Sequence, residues 1–195
     1  MSAVVLWTGG KDSALALYRA RDMGIDVERL VTFRPVDAST PFLAHPIDDI
    51  RRAAEMVGIP HECVPVGEPY REGYVSALHE IGDAFGIDTV VTGDIAPVNA
   101  LPNWIAECCE SACLKFMAPL WECRRDLLLR EVVDRGISAR ISWINSPHIP
   151  PSWLGRTIDE HFIDDIQALA CTSPIDICGE NGEYHTTVEH VRKPA

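Results

Sequence analysis

The chain is short of positive charge. Seventeen Lys and Arg stand against 29 Asp and Glu in 195 residues, a formal net charge of −12. Counterion release at a nucleic acid needs clustered Lys and Arg, so a nonspecific DNA or RNA coat is disfavoured and nucleic acid is an unexpected partner. A local basic patch for one RNA remains compatible with that total. No apolar run approaches the ~18 residues of a membrane helix, so no spanning segment and no membrane partner is expected. The opening MSAVVLWTGGKDS has no basic stretch and too short an apolar one for a secretory signal. There is no CxxC pair among the seven cysteines, Cys63, Cys108, Cys109, Cys113, Cys123, Cys171 and Cys178. An odd number without an export signal reads as reduced thiols in a cytoplasmic protein. Cys109 and Cys113, four apart, would share a helix face; two thiols there can hold a metal, but small buried hydrophobes are the simpler reading. There is no internal repeat and no low-complexity segment.

What is present is ordinary globular composition, 47% apolar and 24% charged, at a length that suits one domain or one domain with an appendage. Short apolar runs alternate with helical patterns. Strands are expected at Ala3 to Trp7, Leu30 to Phe33, Glu62 to Pro65, Thr89 to Thr92 and near Phe116. Helices are expected at Asp12 to Met23, Pro46 to Val57, Tyr70 to Phe85, around Trp104 to Cys113, and around Arg125 to Arg135. Continuous apolar strands separated by helices indicate a doubly wound, parallel α/β sheet. Ile137, Ala139, Ile141 and Trp143 then alternate with polar residues, which marks a half-exposed strand. The run Ser146-Pro147-His148-Ile149-Pro150-Pro151 breaks the pattern. A boundary near residue 145 is expected, with the α/β sheet in residues 1–145. Residues 146–195 are too few for a core of their own and are expected to dock on the first part as a small C-terminal subdomain.

Thr8-Gly9-Gly10-Lys11-Asp12-Ser13 follows the first strand and opens the first helix. Glycines allow close approach of backbone to a ligand, and a helix N-terminus offers unpaired N–H groups and the positive end of a dipole. Lys11 adds a point charge, and the hydroxyls of Thr8 and Ser13 can donate to phosphate oxygens. A tight turn capped by Asp12 or Ser13 explains the same residues. The stretch is not a GxxxxGK[ST] loop, because residue 6 is Leu. In such sheets ligands sit beyond the carboxyl ends of the strands, and Gly93-Asp94, at the end of the fourth, falls at the same edge.

The hexapeptide resembles the SGGxDS pyrophosphate loop of the N-type ATP pyrophosphatases, the PP-loop superfamily. Val91-Thr92-Gly93-Asp94-Ile95, Ala118-Pro119-Leu120-Trp121, Trp153-Leu154-Gly155-Arg156 and Gly179-Glu180-Asn181-Gly182-Glu183-Tyr184-His185-Thr186 follow in order. Together they resemble the diphthine–ammonia ligase family. One departure is Glu122-Cys123-Arg124 where family members carry Gly-Arg after Pro-Leu-Trp.

The resemblance implies an adenine nucleotide alpha hydrolase-like fold, with residues 1–145 as the PP-loop ATP-binding domain and residues 146–195 as a subdomain on the substrate side. It also implies an ATP-dependent ligase that adenylates a carboxylate, releases AMP and pyrophosphate, and amidates the product with ammonia. The diphthine of elongation factor 2 is one such acceptor. Thr8 to Ser13, Gly93 and Asp94 would then hold ATP. Mg2+ is expected, with Asp12 and Asp94 as ligands. Lys11, Asp12, Glu180 and Glu183 would be catalytic. Glu180 and Glu183, aimed into a cleft by a Gly-rich turn, would contact the acceptor or ammonia, with Tyr184 and His185 adding a cation–π face and an acid/base group. His45, His61, His79, His148, His161 and His190 do not cluster and are read as surface or core positions. A PP-loop enzyme that thiolates or aminates tRNA, and a non-enzymatic nucleotide sensor, are the competing readings.

Overall fold

Five of the apolar runs pair side by side as parallel strands in a computed structural model that describes residues 1–37, 45–97 and 103–191. They are β1 (Ser2–Leu6), β2 (Asp26–Pro35), β3 (His61–Val66), β4 (Thr89–Val91) and β5 (Lys115–Met117), in the order β3-β2-β1-β4-β5. Helices α1 (Lys11–Asp22), α2 (Ile47–Val57), α3 (Tyr70–Phe85) and α4 (Trp104–Ser111) lie between them. The period-2 geometry of β1 sorts its side chains to two cores. Ala3, Val5 and Trp7 pack on one face with α1 and α2, while Val4 and Leu6 pack on the other with α3 and α4. The three interior residues of this short strand, Ala3, Val4 and Val5, are all buried and apolar because both faces of a doubly wound sheet are covered.

The remainder is α5 (Arg125–Asp134), β6 (Ile137–Ile144), a 3-10 turn at Pro151–Trp153, α6 (Glu160–Ala170) and β7 (Tyr184–Val191). β6 and β7 form a separate two-stranded antiparallel sheet. β6 alternates as expected only as far as Ile141: Trp143 breaks the pattern and is exposed, beyond a shift in register against β7, while Ile137, Ala139 and Ile141 are buried. These three, with Phe162, Ile163 and Ile166 of α6 and Val188 of β7, join the same core as α1 and β1. The division expected at residue 145 therefore falls between two strands that pair with each other.

Helix ends depart from expectation at one informative place. α4 stops at Ser111, and Cys113 takes a left-handed conformation with φ +58°. Its N–H bonds to Glu110 O at 3.0 Å, and Leu114 N–H bonds to Cys109 O at 2.9 Å. Those two bonds close the last turn in a Schellman arrangement. Cys109 is buried and Cys113 exposed, so the two thiols do not share a helix face. Burial pushes the Cys109 thiol up to about 12, as befits a small core hydrophobe.

Candidate functional site

The strand order reverses between β1 and β4, and the loops that leave those two strands frame a cleft of about 740 Å³. This is the crevice a doubly wound sheet offers a ligand. Thr8, Gly10 to Ser13 and Thr92 to Asp94 line it, so the two sequence-distant motifs do meet. A third wall comes from residues 178–186, at the far end of the chain.

The turn into α1 is held from inside and from behind. Ser13 Oγ donates to Gly10 O at 3.0 Å and lies 3.2 Å from Thr8 Oγ1. Gly9 has φ +73°, and its carbonyl accepts from Val188 N–H of β7 at 2.8 Å. Lys11 N–H donates to Thr186 Oγ1 at 3.1 Å. Gly10, the N-cap residue, has no side chain to cap the helix, and neither Asp12 nor Ser13 serves as the cap. The amides of Asp12 and Ser13 find no protein acceptor among the described residues. Gly93 packs directly against that peptide, an approach that only a glycine allows. A Cβ there would stand 2.7 Å from Asp12 C and 2.8 Å from Ser13 N. A helix N-terminus that lines a cleft and carries no side-chain cap fits a phosphate group.

Lys11 was expected to offer its charge to a ligand, and its ammonium is instead held by the protein. It is 2% exposed, and its Nζ donates to Asp12 Oδ2 at 2.8 Å and to Cys178 O at 2.5 Å. The ammonium also lies 5.2 Å from the centre of the Tyr184 ring. Burial opposes its charge, but Asp12 and these neighbours outweigh burial and hold the amine more firmly protonated than usual. The cation–π face of Tyr184 is thus occupied by the protein's own lysine. The Tyr184 hydroxyl donates to Ile177 O at 2.7 Å, and burial drives its phenol further from ionisation.

The two glutamates of the Gly-rich turn separate. Glu180 lines the cleft, and its Oε1 accepts from the N–H groups of Ile95 and Ala96 at 2.9 and 3.2 Å. Burial raises its carboxyl pKa against those two bonds, and the nearby Asp12 and Asp94 add to the rise. Glu183 does not join it. Its Oε1 accepts from Asp176 N–H at 2.7 Å and its Oε2 from Asn181 N–H at 3.1 Å. The expectation that both carboxylates point into the cleft fails at Glu183, because the backbone of its own turn consumes both of its oxygens.

Asp94 accepts from Thr92 Oγ1 at 3.0 Å and from Asn103 Nδ2 at 2.5 Å, both on Oδ2. Asp12 gives Oδ2 to Lys11. The other oxygen of each carboxylate has no hydrogen-bond partner among the described residues, and both residues line the cleft. Two such hard oxygens suit Mg2+, which takes one or two carboxylates and completes its shell with water and substrate phosphate. Among the described residues no group of three His, Cys, Asp or Glu forms a closed metal cage.

The clearest correction among the histidines is His45. Read from sequence as isolated, it lines the cleft with its ring 5.8 Å from that of His185. His185 in turn stacks on Trp143 at 4.9 Å and 16°. Burial, reinforced by His185, lowers the pKa of His45 to about 4, and burial lowers that of His185 as well. Asn103, Thr186 and Cys178 also escaped the sequence reading. Asn103 had a signal, an N-cap residue directly before a helical pattern. Thr186 closes the Gly179–Thr186 motif, but the role of neither it nor Cys178 was legible, since each acts on a partner more than 160 residues away.

Two family models match the chain. The diphthamide synthase N-terminal domain covers residues 1–116, and the diphthamide synthase C-terminal domain covers residues 124–191. The chain belongs to the diphthamide synthase family. The family is enzymatic and part of the ATP-utilising PP-loop superfamily, as the loop and motif resemblance implied. In this diphthamide synthase family member both matched regions build the cleft, the first through the loops after β1 and β4 and the second through residues 178–186. A solved structure, that of a predicted subunit of tRNA methyltransferase from Methanocaldococcus jannaschii, is similar over 100% of both chains with a TM-score of 0.56 and 17% identity. That likeness concerns the fold alone. No curated protein matches the chain in sequence. Among the described residues no helix is long and apolar enough to cross a membrane.

Proposed function

We propose that this diphthamide synthase family member is an AMP-forming carboxylate–ammonia ligase, with diphthine on elongation factor 2 as its acceptor. The observation that carries the reading is the uncapped N-terminus of α1 in the cleft, flanked by the half-free carboxylates of Asp12 and Asp94. Backbone N–H groups there would receive the β- and γ-phosphates of ATP, which depart together as pyrophosphate when a carboxylate attacks the α-phosphate. Charge builds on the leaving group in that transition state, so fixed N–H dipoles stabilise it where it forms. Asp12 and Asp94 would hold Mg2+, which neutralises polyphosphate charge. Lys11, tied down beneath the loop, is a fixed positive charge behind the phosphates rather than a mobile catalytic arm. Ammonia then displaces AMP from the acyl-adenylate. Glu180, with one carboxylate oxygen free in the cleft, and the half-buried His185 are the groups that would orient the nitrogen and the acceptor. Thr8 and Ser13 shape the turn.

The tRNA-thiolating alternative lacks support at the cleft. Among the described lining residues Cys178 is the single cysteine, and burial drives its thiol away from the reactive thiolate. A pure sensor would release no AMP. The test uses labelled ATP, ammonium and elongation factor 2 carrying diphthine, with products separated by chromatography. AMP and pyrophosphate equal in amount to the amide formed are expected. Stoichiometric ADP would place the protein in another mechanistic class, and binding without turnover would make it a sensor.

A further inference from the structure

Asn103 stands immediately before α4 and uses both ends of one amide. Its Oδ1 accepts from Ile105 N–H at 3.0 Å and from Ala106 N–H at 3.4 Å, which makes it the side-chain cap of that helix. The capping bonds settle the orientation of the amide, because only the oxygen end can accept from two helix N–H groups. The NH2 end is then committed to Asp94, whose Oδ2 it meets at 2.5 Å. Thr92 Oγ1 adds a second donor to the same oxygen at 3.0 Å. Two donors on Oδ2 fix the carboxylate plane, which otherwise turns in a broad, twofold torsional well. They leave the other oxygen in the cleft with no partner among the described residues. The amide is itself rigid, since its other end is anchored in the backbone of α4.

We propose that Asn103 is a positioning residue for the nucleotide site: it transmits the fixed frame of α4 to Asp94 and aims the free carboxylate oxygen at the Mg2+–polyphosphate side of the cleft. The inference rests on the proposed function, in which Asp94 serves that side. Partners that orient a metal-binding carboxylate matter to binding, and their loss costs about 10- to 100-fold in metal affinity. An alternative, in which Asn103 is only a cap, makes a different prediction, because Ser and Asp cap helices as well as Asn does. Ser lacks the amide donor, and Asp sets a like charge against Asp94.

The experiment compares the full-length chain with Asn103→Ser, Asn103→Asp and Asp94→Asn. Thermal melts without nucleotide report the cap. Calorimetric titration with ATP, in Mg2+ and again in EDTA, reports the site. Asn103→Ser should melt near wild type, and both Asn103 variants should bind Mg2+–ATP about 10-fold or more weakly and change much less in EDTA. Wild-type affinity in both Asn103 variants, with weakened binding in Asp94→Asn, would overturn the positioning role and leave the nucleotide reading of Asp94 intact. Equal losses with and without Mg2+, in step with a lowered melting temperature, would reduce Asn103 to a cap and also overturn it. Unchanged affinity in Asp94→Asn would remove the basis in the proposed function, and the inference would fall with it.

Discussion

Glu180 and Glu183 are three residues apart and do opposite things. Glu180 reaches across to the loop after β4 and keeps one oxygen free in the cleft, while Glu183 folds back and holds its own turn through the amides of Asp176 and Asn181. Changing Glu183 to Gln puts an NH2 group where one of those amides needs an acceptor. A buried N–H left without a partner costs about 1–3 kcal/mol. Scanning calorimetry should therefore show Glu183→Gln melting several degrees below wild type, by about 2–4 °C per kcal/mol for a chain of this size. An unchanged melting temperature together with lost acceptor-dependent turnover would return Glu183 to the substrate. Both acids were legible as a Gly-rich acidic motif. Their divergence was not, because the bond from Glu180 to Ile95 spans 85 residues.

At the scale of the element, the strand–turn–helix units were readable because their signals are local: an apolar run, a glycine, a helical pattern. α3 lies at the expected Tyr70–Phe85, closed by Gly86 with φ +64°. α6 carried its own signals, Asp159 as cap and apolar residues at 162, 163, 166 and 169, yet the sequence reading assigned no element after the Pro-rich break. β7 was hidden for a physical reason. Its buried positions include Thr186 and Thr187, and shifts in register against β6 spoil a simple alternation. Thr186 is polar because it faces the amide of Lys11 rather than a hydrophobic core. The end of α4 supplies a prediction. Cys113 holds a left-handed conformation that costs an L-residue about 1–2 kcal/mol, less the ~0.5–1 kcal/mol that glycine loses in chain entropy. Cys113→Gly should raise the melting temperature by about 1–3 °C, and a lower one would show that the thiol makes a stabilising contact.

The whole molecule joins the two family regions more tightly than their separate boundaries suggest. β7 donates Val188 N–H to Gly9 O, Thr186 accepts from Lys11 N–H, and Cys178 O accepts from Lys11 Nζ. α6 and the β6–β7 pair complete the core that α1 and β1 begin. The full chain should therefore unfold in one cooperative transition, coincident by far-ultraviolet circular dichroism and tryptophan fluorescence. A fragment ending at residue 120 should show no such transition and no affinity for ATP. Separate melting of the two regions, or nucleotide binding by the fragment, would show that the C-terminal segment does not hold the loop. The sequence by itself determined the parallel α/β class, the loop at residues 8–13, the matching edge at Gly93-Asp94 and the family, because each depends on residues close together in the chain or on motifs that keep their order. Only the tertiary structure decided that Lys11 is buried beneath Tyr184, that His45 meets His185, that Asn103 grips Asp94 and that Glu183 turns inward. Those outcomes are set by which backbone amides and carbonyls remain unpaired once distant segments pack, and periodicity along a single chain carries no record of that.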